Sequence, residues 1–131
     1  LSNVTLEHVE RARKIVPIVA VQNRYGFADR EWDYLLNHCE QHGIAFVPWA
    51  PLGQNRQANE ALASVAKKLG ATAMQVTLAW LLRRSSVMAP IPGTSSVAHL
   101  EENVAAAALK LSEEDFKKLS EISPAPAILR D

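Results

Sequence analysis

Three short runs of uninterrupted apolar residues, Ile18-Val19-Ala20-Val21, Ile44-Ala45-Phe46-Val47 and residues 87–91, are separated by stretches whose apolar residues recur at helical spacing. A run of this length with no polar face is the pattern of a strand buried on both sides, and such strands occur where helices cover a parallel sheet. The alternation therefore restricts the chain to an α/β fold with right-handed crossovers.

The helical stretches carry their own punctuation. Thr5 is placed to cap a helix with Leu6, Val9, Ala12 and then Ile15 or Val16 on its apolar face, stopped by Pro17. Asp29 is expected to cap the next, whose stripe is Trp32, Leu35, Leu36 and Cys39, with Gly43 past its end. After the second run a loop is expected to reach Asn59. Leu62, Val65, Ala66 and Leu69 then mark a helix stopped by Gly70, and Thr72-x-x-Gln75 is a capping box that opens another over residues 74–84. Val76, Leu78, Ala79, Trp80, Leu81 and Leu82 leave that helix few polar sides, so it should be largely buried. Pro90 has no N–H and implies a ladder gap or bulge in the third run. Ser96 or a neighbour caps a helix through Asn103, and Ser112-x-x-Asp115 opens a last one burying Phe116, Leu119 and Ile122; residues 123–131 are expected to be irregular. Periodicity leaves open whether the strands form a small open sheet or part of a barrel.

At 131 residues, 48% of them hydrophobic, the chain has enough Leu, Ile, Val and Ala for the core of one domain, which argues against disorder, and no apolar run approaches the ~20 residues of a membrane span. Its 14 basic and 14 acidic side chains cancel, so no net charge draws it to nucleic acid or an anionic membrane, and small-molecule partners are expected. The single Cys39 can form no intramolecular disulfide and supplies no metal site by spacing; no metal is expected, and a reducing cytoplasmic location is. The opening Leu1-Ser2-Asn3-Val4, without an initiator Met or polar lead-in, reads as the cut edge of a longer polypeptide.

Ligands of parallel α/β folds gather at the C-terminal ends of the strands. Those positions are Ser2-Asn3, Gln22-Asn23, the stretch from Trp49 to Gly53, and Gly93-Thr94-Ser95-Ser96, and all are polar, aromatic or glycine-bearing. Each set alone reads as a turn former, but the four together favour a shared site. Ser, Asn and Gln side chains pair well with a carboxamide, a tryptophan at a strand end offers a face for a heteroaromatic ring, and hydroxyls ahead of a helix suit a phosphate. These parts suit a dinucleotide, although neither G-x-G-x-x-G nor a P-loop is present.

In this order, Ser2-Asn3, Val19-Ala20-Val21-Gln22-Asn23, Gly43 to Gly53, Gln75-Val76-Thr77-Leu78-Ala79-Trp80-Leu81-Leu82 and Ile91-Pro92-Gly93-Thr94-Ser95-Ser96 with Leu100-Glu101-Glu102-Asn103 resemble the C-terminal half of an aldo-keto reductase. The resemblance implies that residues 1–122 are one incomplete domain, half of a (β/α)₈ TIM barrel that binds NADP and reduces carbonyls. It implies that Ser2, Asn3 and Gln22 meet the nicotinamide carboxamide and that Trp49, often Tyr in the family, stacks on the nicotinamide. Pro51, Leu52 and Gly53 would follow the pyrophosphate, Gly93, Thr94 and Ser95 the adenosine phosphate, and Glu102 and Asn103 the adenine. Without the resemblance, Glu102 would read as a solvated helix face and Asn103 as a helix end. Many relatives place Lys and Arg where this chain has Gly93 and His99, so a charged fork for the 2′-phosphate is missing and NAD is an alternative cofactor. The short loop over residues 53–59 also departs from a pyrophosphate-covering segment.

The family's catalytic Asp, Tyr, Lys and His have no counterpart here: Tyr25 and Tyr34 do not match the proton-donor motif, and His8, His38, His42 and His99 fall in helix patterns. No catalytic residue is nominated, and the chain alone is expected to be inactive. Two other readings stand beside this one: a non-catalytic nucleotide-binding scaffold, since the same barrel resembles the auxiliary subunit of potassium channels, and a half-barrel that self-associates or pairs with its missing N-terminal half.

Overall fold

The computed structural model describes residues 1–49 and 56–122, the side chains of 56–59 excepted. In order the elements are α1 (Leu6–Arg13), β1 (Ala20–Val21), α2 (Asp33–Gln41), β2 (Ala45–Phe46), α3 (Arg56–Leu69), α4 (Ala73–Arg84), α5 (Val97–Ala105), a 3-10 turn (Ala106–Ala108) and α6 (Glu113–Ile122). Strands β1 and β2 pair in parallel with Ala20 opposite Ala45 and Val21 opposite Phe46. Single parallel bridges add a segment on each flank, Ser2 to Gln22 on one side and Phe46 to Met88 on the other. Neighbours in space are thus neighbours in sequence. A doubly wound sheet must reverse its strand order, whereas this order is monotonic, as it is in a sheet that closes into a barrel.

Local chemistry sets most helix ends. The Thr5 hydroxyl accepts from the His8 N–H at 3.4 Å while His8 Nδ1 accepts from the Thr5 N–H at 3.2 Å, a capping box built with histidine. The Thr72 and Gln75 pair forms the box expected of it, Ser96 accepts from the His99 N–H, and Ser112 accepts from the Asp115 N–H. Gly43 and Gly70 close α2 and α3 at φ 64° and 62°, where Ile44 N–H reaches Cys39 C=O and Ala71 N–H reaches Ala66 C=O, both at 2.9 Å.

Several expectations are corrected. Asp29 does not cap α2: it closes a tight turn with Gly26 and pairs with Arg24 at 3.0 Å, so the helix waits until Asp33. Ile15 and Val16 lie outside the apolar stripe because α1 ends at Arg13, leaving them 83% and 51% exposed. The first run is not buried on both faces: Val21 is sealed but Val19, on the same side, is 77% exposed because no described residue covers it. Residues 87–91 form no full strand. Their ladder consists of Phe46 N–H to Val87 C=O and Ala89 N–H to Phe46 C=O, and Pro90 follows directly, lacking the N–H to continue it. The loop expected to reach Asn59 ends earlier, because α3 begins at Arg56. In α6, Leu119 is fully buried while Phe116 and Ile122 are half-buried. The tail from residue 123 lies outside the described residues.

The core gathers Val9, Val21, Leu35, Leu36, Phe46, Val76, Leu78, Leu81 and Leu119 between sheet and helices. Trp80 sits at the junction of α4 and α6, edge-on to Phe27 at 5.4 Å and stacked on Phe116 at 6.0 Å, and its Nε1 donates to Ser120 Oγ at 3.0 Å. Lys68 of α3 clasps Asp115 of α6 at 2.8 Å, and this ammonium together with the Ser112 hydroxyl holds the carboxyl below its usual range. No helix among the described residues is long and apolar enough to cross a membrane.

Candidate functional site

Parallel pairing places residues 2–3, Gln22-Asn23 and Trp49 together at the same end of the sheet. Asn3 N–H donates to Gln22 C=O at 2.8 Å, fixing Ser2 opposite Gln22. Asn3 itself takes a left-handed conformation at φ 52°, and its side-chain oxygen accepts from Trp49 Nε1 at 3.0 Å. The indole is thereby held against the first segment from two strands away. Ser2, Asn3, Gln22 and Trp49 remain exposed or half-buried, so their remaining polar groups and the ring border solvent.

Asn23 is what sequence reasoning missed. It was visible as a polar strand end, but its role is to lie buried at 1% exposure and grip the Val4 backbone, accepting from the N–H at 3.0 Å and donating to the C=O at 2.8 Å. Its own carbonyl accepts from the Trp49 N–H at 3.2 Å. One buried residue therefore positions both ends of the cluster, its side-chain amide holding Val4 and its main-chain carbonyl Trp49. The partner 19 residues away left no local signal.

The second cluster surrounds the start of α5. Gly93, Thr94, His99, Glu102 and Asn103 line a cleft of about 190 Å³ with Thr72 and Met74 from α4 and its cap. Ser96 caps the helix and donates its N–H to Thr94 Oγ1 at 3.1 Å, while Gln75 Nε2 ties α4 to the Glu102 carbonyl at 3.1 Å. Open space stands over Gly93, with nothing within 4 Å of where a Cβ would project. Ser95 is exposed and does not line the cleft. Among the described residues the lining holds no Lys or Arg, which agrees with the missing charged fork. Pro51, Leu52 and Gly53 lie outside the described residues.

Tyr25 and Cys39 are not placed for acid–base work at the site. Tyr25 is fully buried and donates to Asp33 Oδ1 at 2.5 Å, and burial followed by that bond raises its phenol far above the usual range. Burial pushes the Cys39 thiol up to about 11, so it is no ready nucleophile. His38 and His42, read from the sequence only as helix-pattern residues, lie at the end of α2 and converge with Glu10 and Arg13 of α1, an arrangement invisible to spacing because it joins two helices.

Residues 1–124 match the aldo/keto reductase family. The chain belongs to that family. It is 53% identical to pyridoxine 4-dehydrogenase of Escherichia coli over 124 residues, 94% of this chain and 43% of that protein. It is 47% identical to an uncharacterized oxidoreductase of Schizosaccharomyces pombe over 123 residues, 92% of this chain and 40% of the relative. Among solved structures, a thermostable aldo-keto reductase crystallised with the inhibitor epalrestat superposes with a TM-score of 0.87 at 35% identity, over 92% of this chain and 46% of that one. An aldo-keto reductase from Klebsiella pneumoniae in complex with NADPH gives a TM-score of 0.86 at 28% identity, over 96% and 48%. The chain thus spans about two fifths of these curated relatives and somewhat under half of these solved structures.

Proposed function

We propose that this chain is the cofactor-binding, C-terminal half of an NADP-dependent aldo-keto reductase barrel, residues 1–122 forming one incomplete domain. The observation that carries this reading is the Ser2, Asn3, Gln22 and Trp49 cluster, in which main-chain bonds bring the three polar residues together and the Asn3 side chain holds the Trp49 indole, at the strand ends of the sheet. Its donor set fits a nicotinamide. Ser2, Asn3 and Gln22 would hold the carboxamide and Trp49 the ring; Pro51, Leu52 and Gly53 would follow the pyrophosphate. Gly93, Thr94, Ser95 and His99 would receive the adenosine phosphate, with Glu102 and Asn103 toward adenine. When bound, the nicotinamide supplies a hydride for a carbonyl carbon, and this chain's residues orient it. Solved relatives crystallised with NADPH or NADP support the cofactor class. The E. coli relative makes pyridoxal-type aldehydes the first substrates to assay with the complete barrel. A reducing cytoplasm suits the buried free thiol of Cys39.

Titrating NADPH and NADH while following tryptophan emission tests the reading. Quenching by NADPH that disappears in Trp49→Phe is expected, with Trp49→Ala weakening binding about tenfold, the size of one stacking contact. No quenching by either nucleotide would favour the inert scaffold. Carbonyl reduction by the chain alone should be undetectable, since none of its residues is read as the family's catalytic Asp, Tyr, Lys or His; sustained NADPH turnover would overturn that part.

A second reading follows from the uncovered surfaces. Val97, Leu100 and Val104 form an exposed stripe on α5, Ile91 is exposed near it, Val19 is exposed ahead of β1, and among the described residues the outer edges of segments 1–3 and 87–89 carry no ladder partner. Open edges and bare apolar faces drive association. We expect sedimentation to show the chain self-associated, or paired when the N-terminal half is supplied. A well-dispersed monomer at high concentration would count against it.

A further inference from the structure

We propose that Glu10, His38 and His42 form a binding site for Zn²⁺ on the outer helical layer, away from the cofactor end of the sheet. His38, in the last turn of α2, and His42, its C-cap, are four residues apart and both reach Arg13 of α1, their ring centroids 4.3 Å apart. A histidine pair at this spacing presents two imidazoles to one ion. Glu10 comes from α1 with its carboxylate oxygen 2.9 Å from His38 Nε2, and one ligand atom from each residue lies within 4.8 Å of the other two.

The location is fixed by topology. Helix α1 leaves the Ser2-Asn3 end and runs back along the sheet, and His42 directly precedes the Gly43 turn into β2, so the three groups gather toward the strand starts. They are separate from the nicotinamide-matching cluster at the strand ends.

The three groups already converge on a cation. Arg13 Nη1 lies 3.0 Å from Glu10 Oε1 and 3.4 Å from His38 Nε2, and its Nη2 lies 3.2 Å from His42 Nδ1. Arg13 has a long side chain, 31% exposed, that can swing into solvent. Zinc would exchange for the guanidinium, each imidazole donating a lone pair from its unprotonated nitrogen and Glu10 an oxygen, with water completing the shell. Ligands around tetrahedral Zn²⁺ sit roughly 3.3–3.5 Å from one another, so small side-chain shifts suffice. Two imidazoles and a carboxylate select such an ion over Mg²⁺ or Ca²⁺, which prefer oxygen throughout. Bound metal would pin α1 to α2 and stabilise the fold by mass action.

Isothermal titration of the 131-residue chain with Zn²⁺, with Mg²⁺ as control, tests the site. One equivalent should bind at micromolar free zinc and Mg²⁺ should not. His38→Ala and His42→Ala should each weaken binding at least about tenfold, and Glu10→Gln, which keeps the side chain's shape, should do so more gently. Arg13→Ala should tighten binding by removing the competing cation, a change that a purely structural cluster would not produce. With Co²⁺ in place of zinc, the visible spectrum should lack a thiolate charge-transfer band. Zinc binding unchanged by His38→Ala, His42→Ala and Glu10→Gln in variants whose circular dichroism matches the parent would overturn the site. So would no binding below millimolar zinc, or a thiolate band that disappears in Cys39→Ser.

Discussion

Asp33→Ala should lower the unfolding free energy by roughly 3–5 kcal/mol, the usual result of removing one partner from a buried charge network. Asp33 is buried at the first turn of α2 and joins three elements. It accepts from Tyr25 at 2.5 Å, from both Nε and Nη2 of Arg30 at 3.1 and 2.6 Å, and from Arg84 of α4 at 3.2 Å. Without it the fully buried phenol loses its acceptor, and Arg84, with its side chain 15% exposed, retains Asn37. Arg30 also donates to the Ser120 carbonyl, so the damage extends toward α6. Urea denaturation monitored by circular dichroism measures the loss. Asp33→Asn, which keeps an acceptor but not the charge, should fall between the two. A shift under about 1 kcal/mol for the alanine variant would mean that the arginines do not depend on this carboxylate.

Trp80→Ala should cost a similar amount, about 3–5 kcal/mol, through loss of a large buried side chain and the cavity it leaves. The indole is 0% exposed, contacts Phe27 and Phe116, and lies under the Arg30 guanidinium at 5.4 Å. Trp80→Phe keeps most of the packing and gives up the Nε1 bond to Ser120, for about 1 kcal/mol. Because Phe116 and Ser120 both belong to α6, limited proteolysis should cut that helix first in the alanine variant. Uniform loss of protection across the chain would show that α6 unfolds only with the rest.

Features determined within three or four residues were legible in the sequence. Thr5, Thr72, Ser96 and Ser112 cap helices as read, because a hydroxyl and an N–H three positions on meet whatever the tertiary surroundings. Gly43 and Gly70 end helices for an equally local reason. Asp29 failed because a competing local turn with Gly26 captured it. Val19 failed for another reason: an apolar residue declares that something should cover it and does not say what. In the site, Ser2, Asn3, Gln22 and Trp49 were placed by the rule that ligands meet strand ends, and the structure brings them together. The Asn23 grip on Val4 and the meeting of Glu10 with His38 and His42 depend on packing between distant segments, for which periodicity has no signature.

The left-handed backbone at Asn3 has a consequence for what this position tolerates. Glycine, asparagine and aspartate adopt such a conformation with little strain, while β-branched and bulky residues do not. The Asn3 side chain also offers an oxygen to the Trp49 indole and, under the proposed function, would offer an N–H of the same group to a carboxamide. Glycine has neither and aspartate lacks the N–H, while glutamine has both but sits poorly in the backbone. Of the residues that pass a steric filter and those that pass a chemical one, asparagine alone is common to both.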